Sequence, residues 1–198
     1  MLLFQQFDNI FIYFQHYRQV MRIITIHANF IEFEAKKKAF AAADDHITKG
    51  LQLVEECLVV LTAVEKRDEA NPLAIVERYV QEIKTIALQV NANKIVLYPY
   101  AHLSSQLSSP KVAEQVLQEA ENLLKDKYSV IRAPFGWYKS FTLSCKGHPL
   151  SELSREFSAD EKTEKVVDLK KEFKDEPFVY SPKALDKDQK INFTAGLL

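Results

Sequence analysis

The sequence predicts an α/β protein in which strands alternate with two helices. Short apolar runs rich in β-branched residues, such as LVVLTAV over residues 58–64, indicate buried strands. Asn71-Pro72 and Ser109-Pro110 each place a capping side chain before a proline, which is typical of a helix start. With 47% hydrophobic and 27% charged residues, the 198-residue chain has enough apolar side chains for one sizeable core. Helices that pack on alternating strands make an α/β layer fold.

The first half of the chain predicts two strand regions and one helix. Residues 22–27 form the first predicted strand, and residues 30–33 resume it after a turn at Ala28 and Asn29. Residues 36–49 are polar and alanine-rich and predict a loop with a short helix. A buried strand follows over residues 58–64. The helix after Asn71 carries one apolar stripe, made of Val76, Tyr79, Val80, Ile83, Ala87 and Val90.

The second half continues the alternation. KIVLY over residues 94–98 predicts a strand, and the helix after Ser109 is expected to face inward with Val112, Val116, Ala120 and Leu123. Val130 and Ile131 lead into residues 133–156, where Pro134 and Gly136 predict a turn. Residues 140–145 alternate polar and apolar side chains and predict a half-buried strand. After Pro149, helical spacing predicts a helix with apolar positions at Leu150, Leu153 and Phe157.

Composition divides the chain into three segments. Residues 1–20 are rich in aromatic side chains, and Met21, the only other methionine, stands directly before the first strand. We therefore expect residues 1–20 to be an N-terminal extension absent from the mature protein. Residues 21–158 hold the predicted strands and helices and form the expected folded domain. Residues 159–198 are dense in Lys, Asp and Glu and predict a charged linker or tail.

Charge and cysteine content narrow the function classes. A formal net charge of -1 gives no global basic field, so any RNA would bind through a local patch. Two cysteines are too few for a disulfide framework and indicate a reducing compartment. No apolar run approaches the roughly 20 residues of a membrane helix. The expected location is the cytoplasm, without a membrane partner.

A few polar side chains at element junctions are candidates for chemistry. His102 follows a predicted strand end, where ligands gather in open α/β sheets, and Lys139 and Glu152 lie at the ends of other elements. A lone histidine is more often packed or exposed than catalytic, and Lys139 with Glu152 could be a surface ion pair. Cys145 and His148 have a spacing seen among metal ligands, but no second pair lies near, so we predict no metal site. Cys145 is expected to be structural.

Three sequence pieces carry a resemblance to a known family. MRIITIHANFIEFE, YPYAHLSSQL and APFGWYKSFTLSCKGHPLSELSR occur in this order. Together they resemble the N-terminal editing domain of archaeal threonyl-tRNA synthetase, over about residues 21–157. The resemblance implies a fold similar to D-aminoacyl-tRNA deacylases, with a mixed sheet, packed helices and a pocket at strand ends. It also implies an activity, the hydrolysis of L-serine from mischarged threonine tRNA.

The same resemblance implies roles for individual residues. By matching motif, the implied catalytic residues are His102, Tyr138, Lys139 and Glu152, which are expected to converge on one pocket. Pro99 and Ala101 correspond to backbone positions that hold the seryl group, and Val64 corresponds to another wall of the pocket. Lys139, His102 and the tRNA 2′-hydroxyl would position the attacking water, with no cofactor. Trp137 before Tyr138 is a mild departure from the family's Tyr-Tyr.

Serine and threonine differ by one methyl, and a site built for threonine excludes serine by only about 10- to 200-fold. A second, hydrolytic site is therefore needed. The implied partners are the serine-carrying 3′ end of threonine tRNA and a synthetase catalytic domain in cis or in trans, with a homodimer left open. The alternative is a non-catalytic RNA- or small-ligand-binding module appended to a synthetase. Sequence does not decide between a free-standing protein and part of a synthetase.

Overall fold

A computed structural model describes residues 21–41, 43 and 47–159 of the chain. The extension predicted over residues 1–20 and nearly all of the tail predicted over 159–198 lie outside these residues. In the described part, six strands and two α-helices follow one another, with short 3₁₀ helices at Lys66–Ala70 and Ala101–Leu103. The bounds are β1 Met21–Lys38, β2 Gln52–Ala63, α1 Pro72–Gln89, β3 Lys94–Pro99, α2 Pro110–Lys125, β4 Ser129–Arg132, β5 Trp137–Cys145 and β6 Glu152–Phe157.

The strands form one mixed sheet in the order β4-β3-β2-β1-β5. β2, β3 and β4 run parallel to one another, whereas β1 is antiparallel to β2, β5 and β6. One edge of β1 pairs with β2, and β5 and β6 share the other edge. The predicted class, an α/β fold with a mixed sheet and packed helices, is confirmed.

The first strand is one continuous element, so the predicted break at Ala28 and Asn29 is wrong. The pairing of β1 with β5 shifts register between Ala28 and Phe30, which absorbs the irregularity as a bulge. β1 also extends to Lys38, into the predicted loop over residues 36–49. The described residues of that loop contain no helix.

The helix predicted after Pro149 is also wrong, because β6 is a strand. Residues 152–157 pair with the first residues of β1, from Met21 to Ile26. Leu153 and Phe157 are four residues apart, and this spacing places two side chains on one face of a strand as well as on one face of a helix. Phe157 is fully buried and stacks on Tyr79 of α1 with 6.5 Å between ring centroids. Pairing with the distant strand β1 therefore determines that residues 152–157 form a strand and not a helix.

Both predicted helices are confirmed, and they pack against the sheet. The Asn71 side chain accepts a hydrogen bond from the Ala74 amide at 3.2 Å and caps α1 as predicted. On α2 the buried stripe is Val116, Leu117, Ala120 and Leu124. Leu123, predicted to face inward, is 44% exposed because the stripe advances from Ala120 by four residues and not by three. Neither helix has an apolar stretch long enough to cross a membrane, in the part of the chain described.

Candidate active site

A cavity of about 470 Å³ opens where β2 and β3 end. β2 and β3 are parallel neighbours, so their carboxyl ends meet at one edge of the sheet, the usual place for a ligand in such folds. The start of β5 and one face of α2 complete the cavity. Its lining residues by segment are Thr62–Val64, Tyr98–His102, Phe135–Lys139 with Phe141, and Ala39, Phe40, Leu107, Ser108, Pro110, Ala113 and Leu117.

Six of the seven predicted site residues line this cavity, although they come from three separate parts of the chain. Val64 follows β2, and Lys139 lies near the start of β5. His102 is in the 3₁₀ helix after β3. The six residues are Val64, Pro99, Ala101, His102, Tyr138 and Lys139.

Glu152 is the exception. It does not line the cavity of its own chain, so its predicted convergence there is wrong for a single chain. In the sheet Glu152 lies opposite Ile26 of β1, whereas Lys139 lies opposite Ala35. Nine residues of strand between these positions span roughly 30 Å. The Glu152 carboxylate instead accepts a hydrogen bond from the Cys145 thiol at 3.3 Å. β5 and β6 pair with different lengths of the same strand edge, which separates the two residues.

The ammonium group of Lys139 is held in place by several contacts in the cavity. Its ammonium donates hydrogen bonds to the backbone carbonyls of Pro134 and Trp137, both at 2.9 Å. The same nitrogen lies 5.0 Å from the centre of the Tyr98 ring, within the range of a cation–π interaction. Burial lowers the pKa of Lys139 from its ordinary value to about 8. At neutral pH the group is therefore mostly protonated, and one ammonium proton remains for a substrate oxygen.

Aromatic rings surround the ammonium. Tyr98 contacts Phe141 edge to face at 5.5 Å between centroids, and the Tyr100 ring lies 6.3 Å from that of Tyr98. His102 is exposed and packs its ring against Tyr100 at 5.3 Å. Burial raises the pKa of Tyr98 to about 12, so its phenol stays neutral at physiological pH. The rings hold the cavity apolar around a single cation.

Backbone hydrogen bonds fix the segments that form the cavity. The Tyr100 amide donates to the Thr62 carbonyl at 2.8 Å, which joins the ends of β3 and β2. The Ser108 amide donates to the Val64 carbonyl at 2.9 Å, and the Ala39 amide donates to the Gly136 carbonyl at 2.8 Å. These bonds make the cavity a preformed site of the kind that binds small groups.

The cavity offers one cation and no carboxylate among its described lining residues. Such a site stabilises negative charge on a substrate oxygen, but it offers no acidic side chain as a general base. Cys145 and His148, the residues with metal-ligand spacing, lie elsewhere: His148 Nε2 is 2.7 Å from His27 Nδ1. Across residues 21–41, 43 and 47–159, no three His, Cys, Asp or Glu side chains are placed to hold a metal ion.

Comparison with known proteins identifies the family. The family model described as the archaea-specific editing domain of threonyl-tRNA synthetase matches residues 21–157. The chain belongs to this family. The threonine–tRNA ligase of Methanococcus aeolicus is 56% identical over 146 residues, which cover 73% of this chain and 23% of the ligase. That of Methanosarcina acetivorans is 56% identical over 135 residues, covering 68% of this chain and 21% of the ligase.

The chain spans less than a quarter of the length of these curated relatives. Among solved structures, one described as a probable eukaryotic D-amino acid tRNA deacylase superposes with a TM-score of 0.48 and 10% identity. The superposition covers 70% of this chain and 98% of that chain.

Sequence reasoning missed the aromatic lining of this editing domain. Tyr98, Tyr100 and Phe141 form contacts around Lys139, yet no role for them was predicted. A signal was present, because Tyr98 and Tyr100 flank Pro99 directly before His102. Leu117 of α2 was also missed as a lining residue, since a buried helical position does not by itself indicate whether it faces the core or a cavity.

Proposed function

We propose that the cavity hydrolyses the ester that joins L-serine to the 3′ end of threonine tRNA. The observation that carries the proposal is the half-buried Lys139 ammonium, held by two carbonyls in a cavity at the strand ends of an editing-domain family member. The substrate of such a reaction carries its own carbonyl, which develops negative charge when attacked. A fixed cation in an apolar site stabilises that charge far better than water does.

In the proposed step a water oxygen adds to the ester carbonyl carbon, and Lys139 stabilises the resulting oxyanion. The bond from that carbon to the ribose oxygen then breaks, and the ribose oxygen takes up a proton. The products are free serine and tRNA with an unmodified terminal ribose. Because no carboxylate lines the described cavity, His102 or the tRNA 2′-hydroxyl positions the water. The reaction needs no cofactor and would take place in the cytoplasm, where tRNA is charged.

In this proposal, selection against threonine rests on the part of the lining formed by the ends of β2 and β3. Val64 is 3% exposed and its carbonyl is fixed by the Ser108 amide, so the end of β2 cannot easily move aside. Pro99 ends the neighbouring strand β3, Ala101 begins the 3₁₀ helix after it, and both line the cavity. Serine fits against this wall, whereas the extra methyl of threonine clashes with it or displaces the water.

Glu152 enters the reaction in this proposal only through a second copy of the chain. It is exposed on β6 and lies roughly 30 Å along the sheet from Lys139 of its own chain. β5 is the last strand in the sheet order, and Tyr138 and Phe141 on it are 59% and 44% exposed. An apolar strand at a sheet edge is a common pairing surface, so we expect a homodimer.

A mixing experiment tests the second copy. Lys139→Met and Glu152→Gln chains are each assayed alone and after mixing and exchange. If Glu152 acts across the dimer, mixed chains regain part of the hydrolysis that each variant lacks. Hydrolysis by Glu152→Gln at the wild-type rate would remove this residue from the mechanism.

The proposed hydrolysis is tested by single-turnover reaction with serine-charged threonine tRNA. The wild-type chain should release serine, and Lys139→Met should slow the release at least a hundredfold, because it keeps the length of the side chain but not the charge. The matched control is Lys84→Met on α1, a helix that contributes no residue to the described lining. Tight binding of seryl-tRNA by the wild type without any serine release would favour the non-catalytic module instead.

A further inference from the structure

Three consecutive lysines, Lys36, Lys37 and Lys38, end β1 beside the mouth of the cavity. The next two residues, Ala39 and Phe40, line the cavity. The segment is fixed in place, because the Ala39 amide donates to the Gly136 carbonyl at 2.8 Å. The mechanism proposed above does not use these lysines.

A register shift places two of these lysines opposite residues that line the cavity. The pairing of β1 with β5 shifts register between Ala35 and Lys37, so that Lys37 lies opposite Tyr138 and Lys38 opposite Trp137. Bulges of this kind re-aim side chains next to active sites. Tyr138 and Trp137 both line the cavity, so the bulge places the two lysines opposite cavity-lining aromatic residues in the strand pairing. The Lys38 nitrogen lies 6.0 Å from the centre of the Trp137 ring.

The three lysines differ in whether a nearby carboxylate neutralises their charge. Lys36 forms an ion pair with Glu34, which neutralises it locally. Lys37 is exposed, and among the described residues no carboxylate pairs with it. The chain as a whole has a net charge of -1, so positive charge here is a local feature and not part of a general basic surface.

We propose that Lys37 and Lys38 bind backbone phosphates of the single-stranded 3′ end of tRNA while its terminal ester occupies the cavity. Basic side chains interleaved with exposed aromatic rings are the combination that binds single-stranded nucleic acid, the former on phosphates and the latter on bases. This inference rests on the proposed function, since the cavity takes the ester at the end of that strand. It adds the surface on which the nucleotides before the ester lie.

The test measures binding without turnover, so that a failure of the proposed hydrolysis leaves its readout intact. The ligand is threonine tRNA carrying serine through an amide bond, which resists hydrolysis. Trp137, the only tryptophan of the chain, supplies a fluorescence signal. The dissociation constant is measured at several salt concentrations for the wild type, Lys37→Gln/Lys38→Gln, Lys37→Arg/Lys38→Arg and the control Lys84→Gln.

Loss of two phosphate contacts on a single strand should reduce the slope of log K against log salt by about 1.4, at about 0.7 for each contact. The glutamine double variant should show this reduction, while the arginine double variant and Lys84→Gln keep the wild-type slope. A second ligand, adenosine carrying serine through the same amide, has no phosphate. It distinguishes a loss of phosphate contacts from a general loss of binding at the cavity. An unchanged salt slope, or an equal loss of affinity for tRNA and for this adenosine ligand, would overturn the proposal.

Discussion

Lys139 combines a low pKa with contacts that favour its charged form. Burial lowers the pKa to about 8, while two carbonyls and the Tyr98 ring hold the ammonium in place. A base would need the neutral amine, whose two N–H groups could still reach both carbonyls, but these bonds would lose their charge assistance and the attraction of the ring would disappear. The contacts therefore favour Lys139 as the cation that stabilises the oxyanion.

This assignment predicts the direction of the pH dependence. The ammonium loses its proton as the pH rises through about 8, so the contribution of Lys139 to the rate should disappear there. Serine release from seryl-tRNA is measured for the wild type and Lys139→Met between pH 6 and 9.5. The ratio of the two rates should fall above pH 8. A ratio that rises through pH 8 would make Lys139 the base.

Asp68 provides a second test of how burial shifts a pKa, in this case through its effect on the free energy of unfolding. It is 4% exposed, and its carboxylate accepts the Glu65 amide at 2.8 Å. Burial raises its pKa from 3.8 to about 6; the hydrogen bond from the Glu65 amide opposes this shift, the nearby Glu65 charge adds to it, and Arg67 opposes it more weakly. Because the folded-state value is the higher one, its stabilising contribution is full below about pH 4 and is lost as the pH rises through 6.

Replacement by asparagine removes this titration. The unfolding free energy of the wild type should fall relative to that of Asp68→Asn between pH 4 and pH 7, by up to about 3 kcal/mol. Urea unfolding of both chains at four pH values in this range measures the difference. A gap between the two chains that stays constant across the range would show that Asp68 titrates normally.

Among the elements, those fixed by local signals were predicted best. The cap at Asn71 and the proline after it lie within one turn of α1, so the sequence carries the start of this helix directly. β6 was predicted as a helix because its conformation depends on Met21 to Ile26, more than a hundred residues earlier. The continuity of β1 through Ala28 likewise depends on its partner β2, with which its register is unbroken.

The turn before β5 depends on Gly136. Its φ is +74°, and an added Cβ would lie 2.7 Å from the Phe40 ring. Gly147, in the turn after β5, has a nearly equal φ of +72° with nothing within 4 Å of such a Cβ. Replacing either glycine by another residue would therefore incur the cost of a left-handed backbone, about 1–2 kcal/mol. Only at Gly136 would the added Cβ also clash with a neighbouring side chain.

Gly136→Ala should destabilise the protein more than Gly147→Ala does. Gly136 also lies between Pro134 and Trp137, whose carbonyls hold Lys139, so this variant alone should slow serine release. Thermal unfolding and single-turnover rates of both variants provide the comparison. Equal losses of stability and rate would mean that the close approach of Phe40 has no energetic consequence.

At the scale of the whole molecule, the site is assembled from distant parts of the chain. The ends of β2 and β3, the face of α2 and the start of β5 meet only when the parallel strands pair. Residue patterns alone indicated Tyr138, Lys139 and Glu152 at element junctions and His102 at a strand end, and the resemblance supplied Val64, Pro99 and Ala101. Six of the seven line one cavity, whereas Glu152 does not, because its place on β6 depends on strand pairing that neither source describes.

The central claim is that this cavity releases serine and spares threonine. The direct measurement is single-turnover hydrolysis of seryl- and threonyl-tRNA by the same preparation. A clash of about 3 kcal/mol with the wall at Val64, Pro99 and Ala101 corresponds to more than a hundredfold slower release of threonine. We expect a ratio of at least that size. Equal rates on the two substrates would contradict the account.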